Sequence, residues 1–394
     1  MGRGVRIVND VNFSILNQQV QDYINANLNV DLHSFLLKKS PFPDVSILEL
    51  AQQIQGKKIA VKKFPFLDQN GIIFPPHLNL EQSSSEFTAR YKATLVNGKI
   101  FADLTAGFGI DAYFISENFN EVTLNDHDEL LLEVVKHNWS ILQQNAKFNS
   151  SKIEDYLVRE ISVFDVIYFD PARRDSAKKK VFLLEDLSPN ILEIQDQLLQ
   201  RSSQILIKLS PLIDLHYLSS VLKNLAEIHI VALKNEVKEV LVLLKNEWVN
   251  LPRIFCVNLD SNDPVFDFEL GEEKIEATYS QVQDFLYVPN SAILKSGAFN
   301  LISQRFGLNK LHPNTHLYTS NTYQDNFPGR VLNVVKTNSK ELIKGHQYNI
   351  ISKNYPLKPD EIKQKYKLRD GGNDYLIATQ DMKGKLLLRS TNQK

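Results

Sequence analysis

The amino-acid sequence predicts an α/β protein in which a mostly parallel sheet is flanked by two smaller domains. Between residues 98 and 250, short β-rich apolar runs alternate with helical patterns, which favours a sheet built from βα units. The last two apolar runs, 227–233 and 239–245, are separated by five residues, too few for a crossover helix, so we expect them to pair antiparallel. The flanking regions, 1–92 and 261–394, have different patterns and are predicted to be separate domains.

The first domain, residues 1–92, is predicted to be mainly helical, because apolar residues recur at helical spacing from Val20 to Leu28. Near its end, Ser83 and Glu86 have the spacing of a capping box, which predicts the start of a helix. Since that helix leads directly into the first strand of the sheet, it could cover a bound cofactor. Its candidate contact residues are Gln82, Thr88 and Lys92.

The central domain, 93–260, contains six predicted strands. They are 99–103, 121–125, 164–169, 204–209, 227–233 and 239–245. A parallel sheet that ends in an antiparallel hairpin is typical of the Rossmann-like sheet of class I methyltransferases, and it differs from the all-parallel dinucleotide-binding fold.

The third domain, 261–394, is predicted to be α+β. Strand patterns at 265–270 and 274–278 precede a predicted helix at 292–306, and the chain ends in a hairpin around Lys383 and Gly384.

Composition limits the possible function classes. The chain has 394 residues, a net charge of -1 and one cysteine, Cys256, so it can form no intrachain disulfide and no cysteine-rich metal site. It has no run of about 18 apolar residues, so we expect a cytoplasmic protein that neither spans a membrane nor is secreted. Because the chain as a whole is not basic, any contact with RNA must come from local basic patches.

The stretch DLTAGFGID, residues 103–111, has the pattern of a cofactor-binding loop: a strand ends in a carboxylate, two glycines allow a tight turn, and a helix follows. The same glycines fit a dinucleotide such as NAD. Asp103 favours S-adenosylmethionine, because a carboxylate there would repel a pyrophosphate but attract a sulfonium and an ammonium group. The candidate cofactor-binding residues of this stretch are Asp103, Thr105, Gly107, Phe108 and Gly109.

Further candidate cofactor-binding residues follow the second and third βα units. Asp126 ends the second predicted strand and suits a carboxylate that accepts both ribose hydroxyls, with His127 beside it. The alternative is that Asp126 or Asp128 only caps the next helix. Asp155 is a candidate for the adenine amino group, although an exposed loop acid is nearly as good an interpretation.

Asp170 and Pro171 end a buried strand and are the candidate catalytic residues. Proline breaks the strand and exposes the carboxylate, which can accept the N–H groups of a nucleobase amine and orient its lone pair. The candidate substrate contacts lie directly after this motif and at the end of a neighbouring strand. The basic residues after the motif either bind phosphate or form a solvated face. The candidate contacts are Arg173, Arg174, Lys178, Lys179 and Lys180, followed by Lys208 and Ser210.

At these motifs the chain resembles known methyltransferases. DLTAGFGIDA at 103–112 is similar to the DATAGxGxDA signature of a bacterial small-subunit rRNA guanine-N2 methyltransferase, in which a YxDPM-type motif also precedes a lysine-rich loop. Over its full length, including LEQSSSEFTARYK at 80–92 and FDPARR at 169–174, the chain resembles a Bacteroidetes group of class I methyltransferases. That resemblance implies an N-terminal ferredoxin-like domain, a C-terminal THUMP-like domain and an RNA partner.

One departure concerns the acceptor site. Amino-directed methyltransferases of the (N/D)PP(Y/F/W) type stack an aromatic ring on the target base, whereas this chain has Ala172 and Arg173 at the corresponding place. Phe108 or the Arg173 guanidinium would have to stack instead.

The sequence therefore predicts an S-adenosylmethionine-dependent methyltransferase that needs no metal and acts on a nucleobase nitrogen in rRNA or tRNA. The alternatives are a methyltransferase for a protein or small molecule, and a non-catalytic protein that binds the cofactor and RNA during assembly.

Overall fold

A computed structural model gives the fold of the chain and describes residues 10–173 and 182–390. Contacts divide the chain into two compact units. One comprises Met1–Ala226 and Leu241–Val249, and the other comprises Glu227–Val240 and Asn250–Lys394. Within the described residues, no helix has both the length and the apolar character needed to cross a membrane.

Every regular element described up to residue 93 is a helix or a 3-10 turn. Its helices are α1 Gln18–Ala26, α2 Leu32–Leu36, α3 Ile47–Lys63, α4 His77–Gln82 and α5 Glu86–Ala93, with 3-10 turns at Phe13–Leu16 and Pro65–Leu67. A capping box does occur here, but at Ser46 and Glu49. The predicted box at Ser83 and Glu86 is wrong, because α4 ends before Ser83 and Ser85 caps α5 by accepting the Thr88 N–H.

Strands and helices then alternate as the sequence predicts. In chain order they are β1 Ile100–Asp103, α6 Ile110–Ser116, β2 Glu121–Asp126, α7 Glu129–Ile141, β3 Lys147–Ser150, α8 Ile153–Arg159, β4 Phe164–Phe169, β5 Ala172–Arg173, β6 Leu187–Ser188, α9 Ile191–Arg201, β7 Ser202–Leu209, α10 Leu215–Val221, β8 Leu225–Leu233, β9 Glu236–Lys245, β10 Arg253–Leu259 and β11 Phe266–Glu269. The strands β5 and β6 form a separate two-stranded ribbon.

The remaining nine strands form one sheet in the order β3-β2-β1-β4-β7-β9-β8-β10-β11. Strands β1 to β4 and β7 pair in parallel. The turn between β8 and β9 consists of Lys234 and Asn235, both with positive φ, so the two strands form a tight antiparallel hairpin. The predicted α/β class and its antiparallel strand are confirmed, and three further strands, β3, β10 and β11, extend the sheet beyond the six predicted strands. Strand β11 matches the strand pattern predicted at 265–270, but it pairs with β10 in this sheet and not within the third domain.

The strand order places the site. From β1 the chain proceeds to β2 and β3 on one side, and then returns to β4 and β7 on the other side of β1. In open α/β sheets, ligands bind outside the carboxyl ends of the strands at such a reversal of strand order. Asp103 ends β1 and Asp170 follows β4, so both lie at this edge.

The C-terminal region is α+β, as predicted. Its elements are β12 Phe285–Pro289, α11 Ser291–Ser296, α12 Phe299–Arg305, β13 Asn309–His312, β14 Thr315–Ser320, β15 Gly329–Thr337, β16 Gln347–Ser352, α13 Pro359–Tyr366, β17 Arg369–Asp381 and β18 Gly384–Ser390. The strands form a seven-stranded sheet in the order β13-β14-β12-β15-β18-β17-β16. Two expectations are wrong: residues 274–278 form no strand, and Gly297, with φ +77, splits the helix predicted at 292–306 into two.

Candidate active site

The loop after β1 turns on two glycines. Gly107 and Gly109 have φ values of +51 and +74, in the left-handed region where glycine is favoured. A Cβ atom on Gly109 would lie 2.9 Å from Val135 Cγ1 and 3.1 Å from Trp139 Nε1, so α7 also limits this position to glycine. Gly109 then caps α6, and the loop's backbone forms a cradle at the end of β1.

Asp103 is a nearly fully buried carboxylate in a cluster of acids. Asp103 is only 1% exposed, and its Oδ1 accepts a hydrogen bond from the Thr105 N–H at 3.0 Å. Burial raises the pKa of Asp103 well above its ordinary value, and the charges of Asp111, Asp126 and Asp170 raise it further, against the hydrogen bond from Thr105. A buried carboxylate in this environment is stabilised by a cationic ligand.

Asp126 ends β2 and binds two backbone N–H groups. Its Oδ2 accepts from Gly107 at 2.7 Å, and its Oδ1 accepts from Asp128 at 2.9 Å. His127 is exposed, with Nδ1 3.2 Å from Asp126 Oδ1. The helix-capping alternative applies to Asp128, which accepts the Leu131 N–H and is the N-cap of α7.

Asp170 and Thr105 connect the ends of β4 and β1. The Asp170 N–H donates to Thr105 Oγ1 at 2.7 Å, and the Leu104 N–H donates to the Tyr168 carbonyl at 3.0 Å. The Asp170 carboxylate forms an ion pair with Lys208 Nζ from the end of β7. Three neighbouring strands thus bring their terminal polar groups to one edge, with the Asp170 side chain 37% exposed and the buried Pro171 next to it.

A second ion pair lies behind this edge. Lys92 of α5 is fully buried, and its Nζ lies 3.1 Å from Asp111 Oδ1 in the first turn of α6. Asp111 Oδ2 accepts hydrogen bonds from Ser84 Oγ at 2.8 Å and Tyr168 Oη at 2.7 Å. Burial alone would raise the pKa of Asp111, but Lys92, Lys208 and these hydrogen bonds hold it below its ordinary value.

The two candidate stacking groups have neighbours of their own. Phe108 is buried, and its ring contacts Phe64 edge-on with centroids 6.3 Å apart. The Arg173 guanidinium lies 4.4 Å from the centroid of the Phe182 ring, which covers one of its faces.

The remaining candidates lie further from the carboxylate cluster or outside the description. Asp155 is exposed in the first turn of α8, and Ser210 forms a turn in which its hydroxyl accepts the Leu212 N–H. Three of the substrate candidates, and the lysine that follows them, lie outside the residues that the structure describes. They are Arg174, Lys178, Lys179 and Lys180.

The helix proposed as a cofactor cover has two candidates with structural contacts. Thr88 and Lys92 are buried on α5, which packs against α6, whereas Gln82 is exposed at the end of α4. The sequence motifs do not identify the Lys92–Asp111 pair. A signal exists, however: Asp111 is an acid on a helix whose neighbouring residues are apolar, and a buried acid requires a counterion.

The carboxylates of the edge are bonded to the glycine loop, since Asp103 accepts the Thr105 N–H and Asp126 accepts the Gly107 N–H. Among the residues described, no group of three or more His, Cys, Asp or Glu is arranged to hold a metal ion. The glycine cradle and the buried Asp103 have the shape and charge to receive a nucleoside-like ligand that carries positive charge.

Comparison with solved structures finds a match over nearly the whole chain. A crystal structure from Porphyromonas gingivalis W83, named a "putative methyltransferase", is 30% identical with a TM-score of 0.84. The match covers 96% of this chain and 98% of that one. An architecture of this size shared over both full lengths, at this identity, indicates common family membership.

More distant matches cover about half of the chain or less. A methyltransferase from Pyrococcus furiosus is 14% identical with a TM-score of 0.36, and the match covers 50% of this chain and 96% of that one. An rRNA methylase from Streptococcus thermophilus is 17% identical with a TM-score of 0.31, covering 40% and 94%. Among curated proteins, none matches the chain.

Two family models match the C-terminal region. A ferredoxin-like domain model matches residues 285–328, and a THUMP domain-like model matches residues 330–389. The ferredoxin-like match therefore lies in the C-terminal region, whereas the resemblance implies such a domain in residues 1–92, where every regular element described is a helix or a 3-10 turn. The THUMP-like domain that the resemblance implies is confirmed for residues 330–389.

Proposed function

We propose, since the chain belongs to the family of class I methyltransferases with a C-terminal THUMP-like domain, that it transfers a methyl group from S-adenosylmethionine to a nucleobase nitrogen in RNA. The observation that carries the cofactor assignment is the buried Asp103 carboxylate, which lies among three other carboxylates at the end of β1. S-adenosylmethionine supplies an electrophilic methyl group on a sulfonium, and its positive charges complement this cluster.

The cofactor would be held by the loop after β1 and the end of β2. Asp103 offers negative charge, Gly107 and Gly109 allow close backbone approach, and Asp126 has lone pairs left for ribose hydroxyls beside its two backbone hydrogen bonds. Thr105, Phe108, His127 and Asp155 complete the proposed cofactor set. A phosphate-bearing dinucleotide suits this charge distribution poorly, because Asp103 would oppose its pyrophosphate.

The acceptor would bind at Asp170 and Pro171. Lys208 holds the Asp170 carboxylate from one side, and the exposed part of that carboxylate can accept an N–H of the target amine and orient its lone pair. Methyl transfer from a sulfonium is an in-line displacement with a good leaving group, so holding the two reactants in line accounts for most of the required rate enhancement.

Support for an RNA substrate comes from the distribution of charge. Residues 330–389, the THUMP-like segment, contain 13 Lys and Arg against 6 Asp and Glu, a net charge of +7, although the whole chain has a net charge of -1. A segment of such charge favours a polyanionic partner. We propose that this segment binds RNA while Arg173 and Lys208 contact the target nucleotide.

Transfer of tritium from labelled S-adenosylmethionine tests the proposal. Purified protein is incubated with separated RNA, protein and metabolite fractions from cells that lack the gene. We expect label in RNA, and we expect the Asp170→Ala variant to bind the cofactor normally but to transfer nothing. Label in the protein or metabolite fraction alone would mean that the substrate is a protein or a small molecule and not RNA. Cofactor binding without any transfer would indicate a non-catalytic role.

A further inference from the structure

The buried cluster of Ser84, Lys92, Asp111 and Tyr168 is not needed to contact a cofactor or an acceptor. Lys92 Nζ is within 3.1 Å of Asp111 and donates to Ser84 Oγ at 3.0 Å, and Ser84 Oγ in turn donates to Asp111. The Lys92 side chain is completely shielded from solvent. A buried charge is costly unless it is paired, so the Lys92 cation needs the Asp111 carboxylate and the Ser84 hydroxyl as its partners.

Stability alone does not explain why this pair is buried. A buried ion pair commonly contributes no more to stability than apolar residues of the same volume, because both ions lose their hydration. We therefore consider which elements the Lys92–Asp111 pair connects. It joins α5, which precedes β1, to the first turn of α6, which follows the glycine loop.

The cluster also reaches the acceptor motif. Tyr168 donates its hydroxyl to Asp111 at 2.7 Å and lies two residues before Asp170. The backbone carbonyl of Tyr168 is bonded to Leu104 at the start of the glycine loop. Two contacts thus fix the position of Asp170. Its own N–H donates to Thr105, and Tyr168, two residues earlier, donates to Asp111.

We propose that Lys92 and Asp111 are positioning residues that fix the Asp170 carboxylate relative to the cofactor loop without touching either reactant. This inference rests on the proposed methyl transfer. Asp111 pairs with Lys92 at 3.1 Å, whereas Lys208 pairs with Asp170, so the two carboxylates have separate lysine partners.

The test removes both charges at once. The Lys92→Met/Asp111→Asn double variant leaves no unpaired buried charge and is expected to fold, and Tyr168→Phe removes only the hydroxyl that links Asp111 to β4. Lys92→Arg keeps the cation and should retain part of the methylation rate that the double variant loses. Lys62→Met, at an exposed lysine of α3, is the matched control.

Three measurements are made on each variant. They are the affinity for S-adenosylhomocysteine by calorimetry, kcat and KM for RNA methylation, and deuterium uptake of peptides covering residues 103–111 and 167–173. We expect affinity and KM within about threefold of the unmodified protein and kcat lower by about 100-fold, as a displacement of about 1 Å at the reacting centre produces. Deuterium uptake should rise in both peptides and remain unchanged in the control.

The outcomes separate this inference from the proposed function. If affinity and kcat fall in proportion, or if kcat stays unchanged, Lys92 and Asp111 are not positioning residues. If the unmodified protein transfers no methyl group, the proposed function fails by itself. Deuterium uptake still decides whether the cluster orders the two segments, and unchanged uptake overturns the inference in either case.

Discussion

The Gly107 backbone N–H donates to Asp126 Oδ2 over 2.7 Å, so the glycine loop after β1 is bonded directly to the end of β2. The carboxylate that we propose for ribose binding therefore also shapes the loop that would receive the rest of the cofactor. Its neighbour Asp128 has a different role, because it caps α7 and makes no contact with the loop in the hydrogen bonds described.

This difference predicts separate effects of the two aspartates. Asp126→Ala leaves the N–H groups of Gly107 and Asp128 without an acceptor, and each such loss costs about 1–3 kcal/mol. We expect this variant to be less stable and to bind S-adenosylmethionine at least about tenfold more weakly. Asp128→Ala should cost about 1 kcal/mol through the lost cap and leave the affinity unchanged. Calorimetry and denaturant unfolding measure both quantities, and equal loss of affinity in both variants would refute the distinction.

Asp103→Asn should lower the affinity for S-adenosylmethionine while it stabilises the free protein. The variant keeps the shape of the side chain but cannot ionise, so the free protein avoids the cost of a buried charge that three carboxylates repel. We expect affinity to fall about tenfold or more, since charge-assisted contacts contribute about 1.5–3 kcal/mol. The exposed Glu117→Gln variant is the control. A melting temperature that falls in Asp103→Asn, or an unchanged affinity, would argue against the role given to Asp103.

The same carboxylate predicts a pH dependence of cofactor binding. Because folding raises the pKa of Asp103 above its ordinary value of 3.8, the free protein keeps this proton over a pH range above 3.8 in which the unfolded chain loses it. The contribution of Asp103 to the free energy of unfolding therefore falls as the pH rises from 3.8 towards the raised pKa and is constant above it. A bound cation favours the ionised form, so affinity should increase with pH and level off above that pKa. Calorimetry in buffers of different ionisation enthalpy should detect proton release on binding, and Asp103→Asn should abolish it.

Gly109→Ala tests the glycine loop. Gly109 and Gly297 have nearly equal φ values, +74 and +77, but a Cβ on Gly109 meets α7 whereas a Cβ on Gly297 meets nothing within 4 Å. The backbone cost of alanine, about 1–2 kcal/mol, is therefore common to both. We expect the free energy of unfolding of Gly109→Ala to fall by about 1 kcal/mol more than that of Gly297→Ala because of the clash. We also expect Gly109→Ala to lose cofactor binding. Chemical denaturation of both variants gives the difference, and equal destabilisation would show that α7 yields without cost.

Much of the sheet follows from the sequence because its buried strands are continuous apolar runs. The six predicted strands all occur, with ends that differ by at most three residues. Strand β3 was not predictable in this way, since Lys147–Ser150 contains a single apolar residue. Strand β10 does have an apolar pattern, with Ile254 and Cys256 buried, but a sheet expected to end in a hairpin leaves no place for it.

The site is predictable in part for a related reason. Asp103, Asp126 and Asp170 each stand at the end of a strand, and parallel topology brings such ends together. The contacts between them depend on tertiary packing that no local pattern encodes. The predicted cap at Ser83 illustrates this: three consecutive serines could cap α5, and the structure uses Ser85 while Ser84 donates to Asp111.

Charge neutralisation in the THUMP-like segment should weaken RNA binding alone. Lys336, Lys340 and Lys344 are exposed there, and their triple change to Gln removes three positive charges. We expect RNA affinity to fall and the slope of log affinity against log salt to decrease by up to about 3, with cofactor affinity unchanged. The matched control changes three exposed lysines outside this segment to Gln; they are Lys62, Lys99 and Lys136. An equal loss in the control would mean that net charge, and not this segment, determines RNA binding.

Mass spectrometry of rRNA and tRNA nucleosides tests most directly whether the chain methylates RNA. Nucleosides are compared between cells with the gene, cells without it, and cells that express the Asp170→Ala variant. We predict that one methylated nucleoside disappears without the gene, returns with the unmodified chain and does not return with the variant. Identical nucleoside profiles in all three, with cofactor-dependent labelling of a protein or metabolite, would contradict RNA methylation.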